Sequence, residues 1–99
     1  MEQRPRWRTK RDENQGEITG DLRALGARVE DCSTVPDSVI PGDILVHWYH
    51  ARFEAWVWQP FEVKTATGEL SDQQEANKDA VPVARCAEDV VRWYGREVA

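Results

Sequence analysis

The chain predicts a mixed α/β fold, a β-sheet flanked by helices in the order α-β-β-β-α-β-α. Three observations carry this expectation. An early segment repeats apolar residues at helical spacing, two adjacent central runs are rich in β-branched and aromatic residues, and a helix-like segment separates the third strand from the fourth. Such a crossover makes those two strands parallel and the sheet mixed. With 99 residues, 40% hydrophobic and 31% charged, the chain has room for one small domain. The reading divides it into a basic arm over residues 1–12 and a single domain over residues 13–99.

Each element has its own local cause. "NQGEITGDLRALGA" places Ile18, Leu22 and Leu25 four and three residues apart, the stripe of an amphipathic helix, and Gly26 supplies a stop. "RVEDCS" reads as a short strand with Val29 inward, followed by a loop punctuated by Pro36, Pro41 and Gly42. "DILVHWYH" and "EAWVWQPFEVK" read as a hairpin turning at "ARF". Pro60 cannot donate to a ladder, so the second of these strands is expected either to bulge there or to lie at an edge at that point. "SDQQEANKD" follows as a short helix, "VPVARC" as a strand and "AEDVVRWYG" as a helix closed by Gly95.

The net charge of −5 disfavours a simple electrostatic DNA binder, but it conceals an asymmetry. Arg4, Arg6, Arg8, Lys10 and Arg11 face only Glu2 in the first eleven residues, a balance of +4 that leaves −9 on the rest. Such an arm can track a phosphate backbone, or be no more than a solvated terminus. No apolar run is long enough to span a membrane, which predicts a cytoplasmic protein. Cys32 and Cys86 both fall in strand-like stretches, so buried reduced thiols are expected.

The polar residues in "FEVKTATGELSDQQ" are the ones the strand pattern does not explain. Glu62 and Lys64 lie two apart and share a strand face, while Phe61 and Val63 point to the core. Asp43 opens the preceding strand, where an antiparallel hairpin brings it beside them. Two carboxylates at strand ends make a hard oxygen site for Mg²⁺ or Mn²⁺, and a lysine beside them can orient an attacking water. The alternative is a solvated Glu62–Lys64 ion pair of minor energy.

Read together, "IPGDILV" and "FEVKTATGELSDQQ" resemble the PD-(D/E)xK nuclease superfamily, and within it the VRR-NUC (virus-type replication-repair nuclease) family. "NQGEITGDLRALGARVEDCS" resembles the family's opening helix and first strand, and "VPVARCAEDVV" its closing strand and helix. The resemblance implies a restriction-endonuclease-like core and hydrolysis of DNA phosphodiesters to 5′-phosphates, on branched substrates such as Holliday junctions. It implies that Asp43, Glu62 and the Val63 carbonyl bind the metal and that Lys64 positions water. Glu17 is similar to the family's helical glutamate, reaching the metal directly or through water, although a first-turn acid is also favoured by the helix dipole. Gln74 fits the family's glutamine, although "SDQQ" is equally a capping box built on Ser71 and Gln74. The family usually has Pro directly before Asp, whereas Gly42 here separates Pro41 from Asp43. The arm, with Arg28, Lys78 and Arg85, would supply phosphate contacts. A bacteriophage product acting in the bacterial cytoplasm is the setting the resemblance implies.

Other constellations are weaker. His47 and His50 are three apart, which on a strand sends the rings to opposite faces and disfavours a shared zinc. The two cysteines lack CxxC spacing. Trp48, Trp56 and Trp58 cluster on the hairpin, as core or as a dimer surface; stand-alone members of the resembled family are homodimers, and a two-fold pair of sites suits a four-way junction. The rival reading of the whole chain is a non-catalytic DNA-binding or protein-interaction module on the same scaffold.

Overall fold

The computed structural model describes residues 13–32, 34–36, 39 and 41–96. The basic arm, with Arg4, Arg6, Arg8, Lys10 and Arg11, lies outside them. Seven elements follow one another: α1 (Glu13–Ala24), β1 (Arg28–Asp31), β2 (Ile44–His50), β3 (Ala55–Val63), α2 (Asp72–Ala76), β4 (Val83–Ala84) and α3 (Ala87–Trp93). This is the expected order. The strands form one sheet in the order β1-β2-β3-β4, antiparallel except for the β3–β4 pair, which is parallel as the helical crossover requires. No helix among the described residues is long and apolar enough to cross a membrane.

Helix α1 buries Gln15, Ile18, Thr19 and Leu22, residues three or four apart on one face. Leu25 was expected on that stripe but is 57% exposed. It stands at the last turn, its N–H still bonded to the Asp21 carbonyl, where Gly26 takes a φ of +98° and the Ala27 and Gly26 N–H groups donate to the Leu22 and Arg23 carbonyls in a Schellman closure. Helix α3 ends the same way at Gly95, with φ +73° and bonds from Arg96 to Val91 and from Gly95 to Arg92.

Alternation along the strands assigns two faces. Val29, Ile44, Val46, Trp48, Phe61 and Val63 point inward and meet Ile18 and Leu22 of α1 and Val90, Val91 and Tyr94 of the α3 end. Tyr94 is fully buried, and its hydroxyl lies 2.9 Å from both the Val46 and the Val57 carbonyls, tying the last helix to both central strands. Burial holds the Tyr94 phenol well above its usual range. His47 faces outward and His50 inward, the opposition expected from their spacing.

The hairpin turn occupies Ala51–Glu54, one residue longer than "ARF" suggested, with Glu54 at a φ of +52°. The ladder then runs unbroken through Pro60, which stands opposite Leu45. Of the two alternatives for Pro60, the edge applies and the bulge does not. Strand β4 pairs with Glu62 and Val63, so among the described residues β3 has no strand neighbour on that side at Pro60. A slip occurs instead at the other end of β2. Ile44 is the partner of Phe61, yet the Asp43 N–H donates to the Phe61 carbonyl at 2.9 Å. Two residues of one strand thus share one residue of the next, as in a β-bulge.

Candidate functional site

The slip at Asp43 places its side chain where a backbone partner would otherwise stand. Asp43 Oδ2 accepts the Val63 N–H at 2.9 Å, and the Asp43 N–H and carbonyl are bound by the Phe61 carbonyl and the Cys32 N–H. The aspartate is therefore fixed against the peptide unit that joins Glu62 to Val63. Gly42 makes this possible. It is buried in the bend before β2 at a φ of +93°, so the extra residue between Pro41 and Asp43 is taken up in the turn.

Glu62 is half-buried between the buried Phe61 and Val63, and Lys64, also half-buried, follows directly after the end of β3, an alternation in keeping with a shared face. Glu62 lines a hollow of about 280 Å³ together with Pro41, Gly42, Ser71 and Gln74. Gln74 thus reaches the same hollow as Glu62, but part of its side chain is committed. The capping box is formed: Ser71 Oγ accepts the Gln74 N–H at 3.2 Å, and Gln74 Oε1 accepts the Ser71 N–H at 2.9 Å. Only the amide nitrogen end of Gln74 is outside that box.

Glu17 lies elsewhere, exposed on α1 and lining a second hollow of about 310 Å³ with Asn14, Thr65, Ala66 and Arg85. The two hollows abut consecutive parts of one strand and its exit, with Lys64 between Glu62 and Thr65 in the chain. No three His, Cys, Asp or Glu side chains gather into a metal-holding group among the described residues. The scattered cations expected at phosphates have structural duties. Arg85 Nη1 donates to the Thr65 and Gly68 carbonyls and so braces the loop after Lys64. Lys78 pairs with Glu75 at 2.7 Å, and Arg28 with Glu30 at 3.2 Å.

Two residues that motif reasoning passed over hold this region together. Asn14 Nδ2 donates to the Lys64 carbonyl at 2.8 Å and to the Arg85 carbonyl at 2.6 Å, pinning α1 where β3 and β4 end. Gln15, 1% exposed, donates through Nε2 to Asp31 Oδ1 at 2.9 Å and to the Asp43 carbonyl at 3.4 Å. A signal for Gln15 existed: an amide stands on the apolar stripe, three residues before Ile18, and a buried amide requires partners.

The negative charge of the β1–β2 edge is felt by Cys32. Burial raises its thiol above the usual range, and the Asp31, Glu30 and Asp43 carboxylates raise it further. Cys32 is buried and reduced as expected, but Cys86 is exposed. It caps α3 in extended conformation instead of lying inside a strand.

No protein-family model, characterised protein or solved structure matches this chain.

Proposed function

We propose that the protein is a metal-dependent deoxyribonuclease that hydrolyses phosphodiesters in branched or structured DNA. The observation that carries the reading is the Asp43 Oδ2 bond to the Val63 N–H, which holds one carboxylate at the strand segment that bears Glu62, Val63 and Lys64. Asp43, Glu62 and the Val63 carbonyl offer only hard oxygen donors, a set that fits Mg²⁺ or Mn²⁺ and not a softer metal. Bound there, the ion would supply charge stabilisation at phosphate and a more acidic water.

The chain's own residues would do the rest. Lys64 would orient the attacking water and offset the charge growing on the phosphate, and its main chain is held by Asn14 at the carbonyl and by Ala84 at the N–H. Gln74 would direct its amide nitrogen at phosphate or water from the Glu62 hollow. Glu17, on the far side of Lys64, would act on water or through it. The basic arm would contribute sequence-independent phosphate contacts.

A cleavage assay tests this on a four-way junction, a flap, a duplex and a single strand, with Mg²⁺, Mn²⁺ or EDTA. Cutting should require the metal and fall in Lys64→Ala by a factor on the order of 10² or more. Cleavage undiminished in Lys64→Ala removes that residue from the chemistry, and no cleavage of any substrate refutes the nuclease. A non-catalytic DNA-binding module is the second reading, favoured by Glu17 lining a hollow separate from that of Glu62 and by the capping box that holds Gln74. It predicts DNA binding with no cutting under any metal.

A further inference from the structure

Helices α1 and α3 cover one face of the sheet. The opposite face, over β1, β2 and the first part of β3, presents His47, Tyr49, Trp56 and Trp58. Trp56 and Trp58 are 59% and 44% exposed, an outlay of aromatic surface that a domain of this size does not normally leave in water. The hairpin register sets them side by side, Trp58 opposite His47 and Trp56 opposite Tyr49. His47 stacks on Trp58 with ring centres 4.4 Å apart and planes at 22°, and the Arg28 guanidinium lies 5.5 Å over the Trp58 ring. Trp56 meets Tyr49 edge-on at 6.1 Å.

We propose that this face is a stacking platform for the unpaired bases of a single-stranded DNA segment. Three features point to that occupant. First, the rings stand beside a guanidinium and an imidazole, the Arg28 group over Trp58 and the His47 ring stacked on it, a mixture that binds bases and phosphates together. Second, Arg28 engages Glu30 through Nε at 3.2 Å while its guanidinium lies over the Trp58 ring, where it can also meet the phosphate of a base stacked there. Third, the platform is continuous with the candidate site. Trp56, Trp58, Pro60 and Glu62 share one face of β3, and the six steps from Trp56 to Glu62 span about 20 Å at roughly 3.3 Å per residue, a distance that a few unpaired nucleotides cover. The occupant rests on the nuclease reading: the single-stranded arm of a branched substrate would lie on the platform and bring the branch to Glu62 and Lys64.

The test is a tryptophan-fluorescence titration with an oligothymidylate of about twelve nucleotides and with a hairpin duplex, in EDTA so that nothing is cut. The single strand should quench the fluorescence, and Trp56→Ala and Trp58→Ala should each weaken its binding about tenfold or more, while Trp58→Phe, which keeps a ring, retains most of it. Both positions are exposed, so thermal unfolding of the variants should match the wild type and separate lost binding from lost folding. The platform is overturned if the single strand neither quenches nor binds, or if the alanine variants bind it as the wild type does. It is equally overturned if sedimentation finds a dimer that Trp56→Ala or Trp58→Ala dissociates and that the oligonucleotide cannot enter. The two proposals fail separately. Binding through the tryptophans without metal-dependent cutting keeps the platform and removes the nuclease; cutting with unaltered affinity in the alanine variants does the reverse.

Discussion

Gly42→Ala should destabilise this protein far more than the loss of two hydrogens suggests. At its φ of +93° an alanine is strained by about 1–2 kcal/mol whatever space surrounds it. Space is also lacking: a Cβ there would stand 2.8 Å from the Phe61 carbonyl oxygen, 3.1 Å from its carbon and 3.2 Å from Val81 Cγ1. The nearest obstacle is backbone, so it cannot swing aside as a side-chain tip would. The same Phe61 oxygen accepts the Asp43 N–H at 2.9 Å, so relief of the clash loosens that bond, for about 1 kcal/mol more. A total of about 2–3 kcal/mol follows, and in a domain of this size each kcal/mol moves the melting temperature by about 4–8 °C. Thermal unfolding by circular dichroism should therefore give a drop of roughly 10–25 °C. Gly20→Ala is the internal control, because Gly20 is exposed on α1 with nothing within 4 Å of a new Cβ. It should gain about 0.5–1 kcal/mol from helix propensity. A Gly42→Ala protein melting within a few degrees of the wild type would refute the reasoning, and with it the account of how Asp43 is placed.

Two further outcomes are expected. Tyr94→Phe removes the hydroxyl shared by the Val46 and Val57 carbonyls and leaves both without it in the interior, a loss of about 1–3 kcal/mol that should lower the urea midpoint; an unchanged midpoint would show the tie to be idle. Stability should also fall in alkali: the Cys32 thiol and Tyr94 phenol are raised above their ordinary values of 9.0 and 10.0, so the unfolded chain releases these protons first. Their contribution is complete below about pH 9 and is lost as pH climbs toward the raised values; a flat urea midpoint from about pH 7 to 11 would contradict it, as would thiol labelling of native Cys32 as fast as exposed Cys86.

Much of the fold was legible locally. Helical spacing at Ile18 and Leu22, strand alternation through "ILVHWYH" and the glycine stops at Gly26 and Gly95 are short-range causes, and they predict the order of elements, the inward faces and the shared face of Glu62 and Lys64. The parallel β3–β4 pair was legible too, because a crossover leaves the chain little other choice. Leu25 continues the apolar period but stands at the closing end of α1, beyond the packed stripe, and is exposed. Cys86 was misread because β4 is only two residues long and ends at Ala84, before the cysteine.

Other features were decided only by tertiary contact. Asp43 meets the Val63 N–H across 20 residues of sequence, and Asn14 meets the Arg85 carbonyl across 71. Whether Arg85 and Lys78 are available to a ligand, and whether Pro60 bulges or sits at an edge, likewise depends on which distant backbone comes within reach. A sequence determines intrinsic preferences and periodicities, which act over a few neighbouring residues. Hydrogen bonds require two groups within about 3 Å, and for residues far apart in the chain only the packed structure decides which pairs meet that condition.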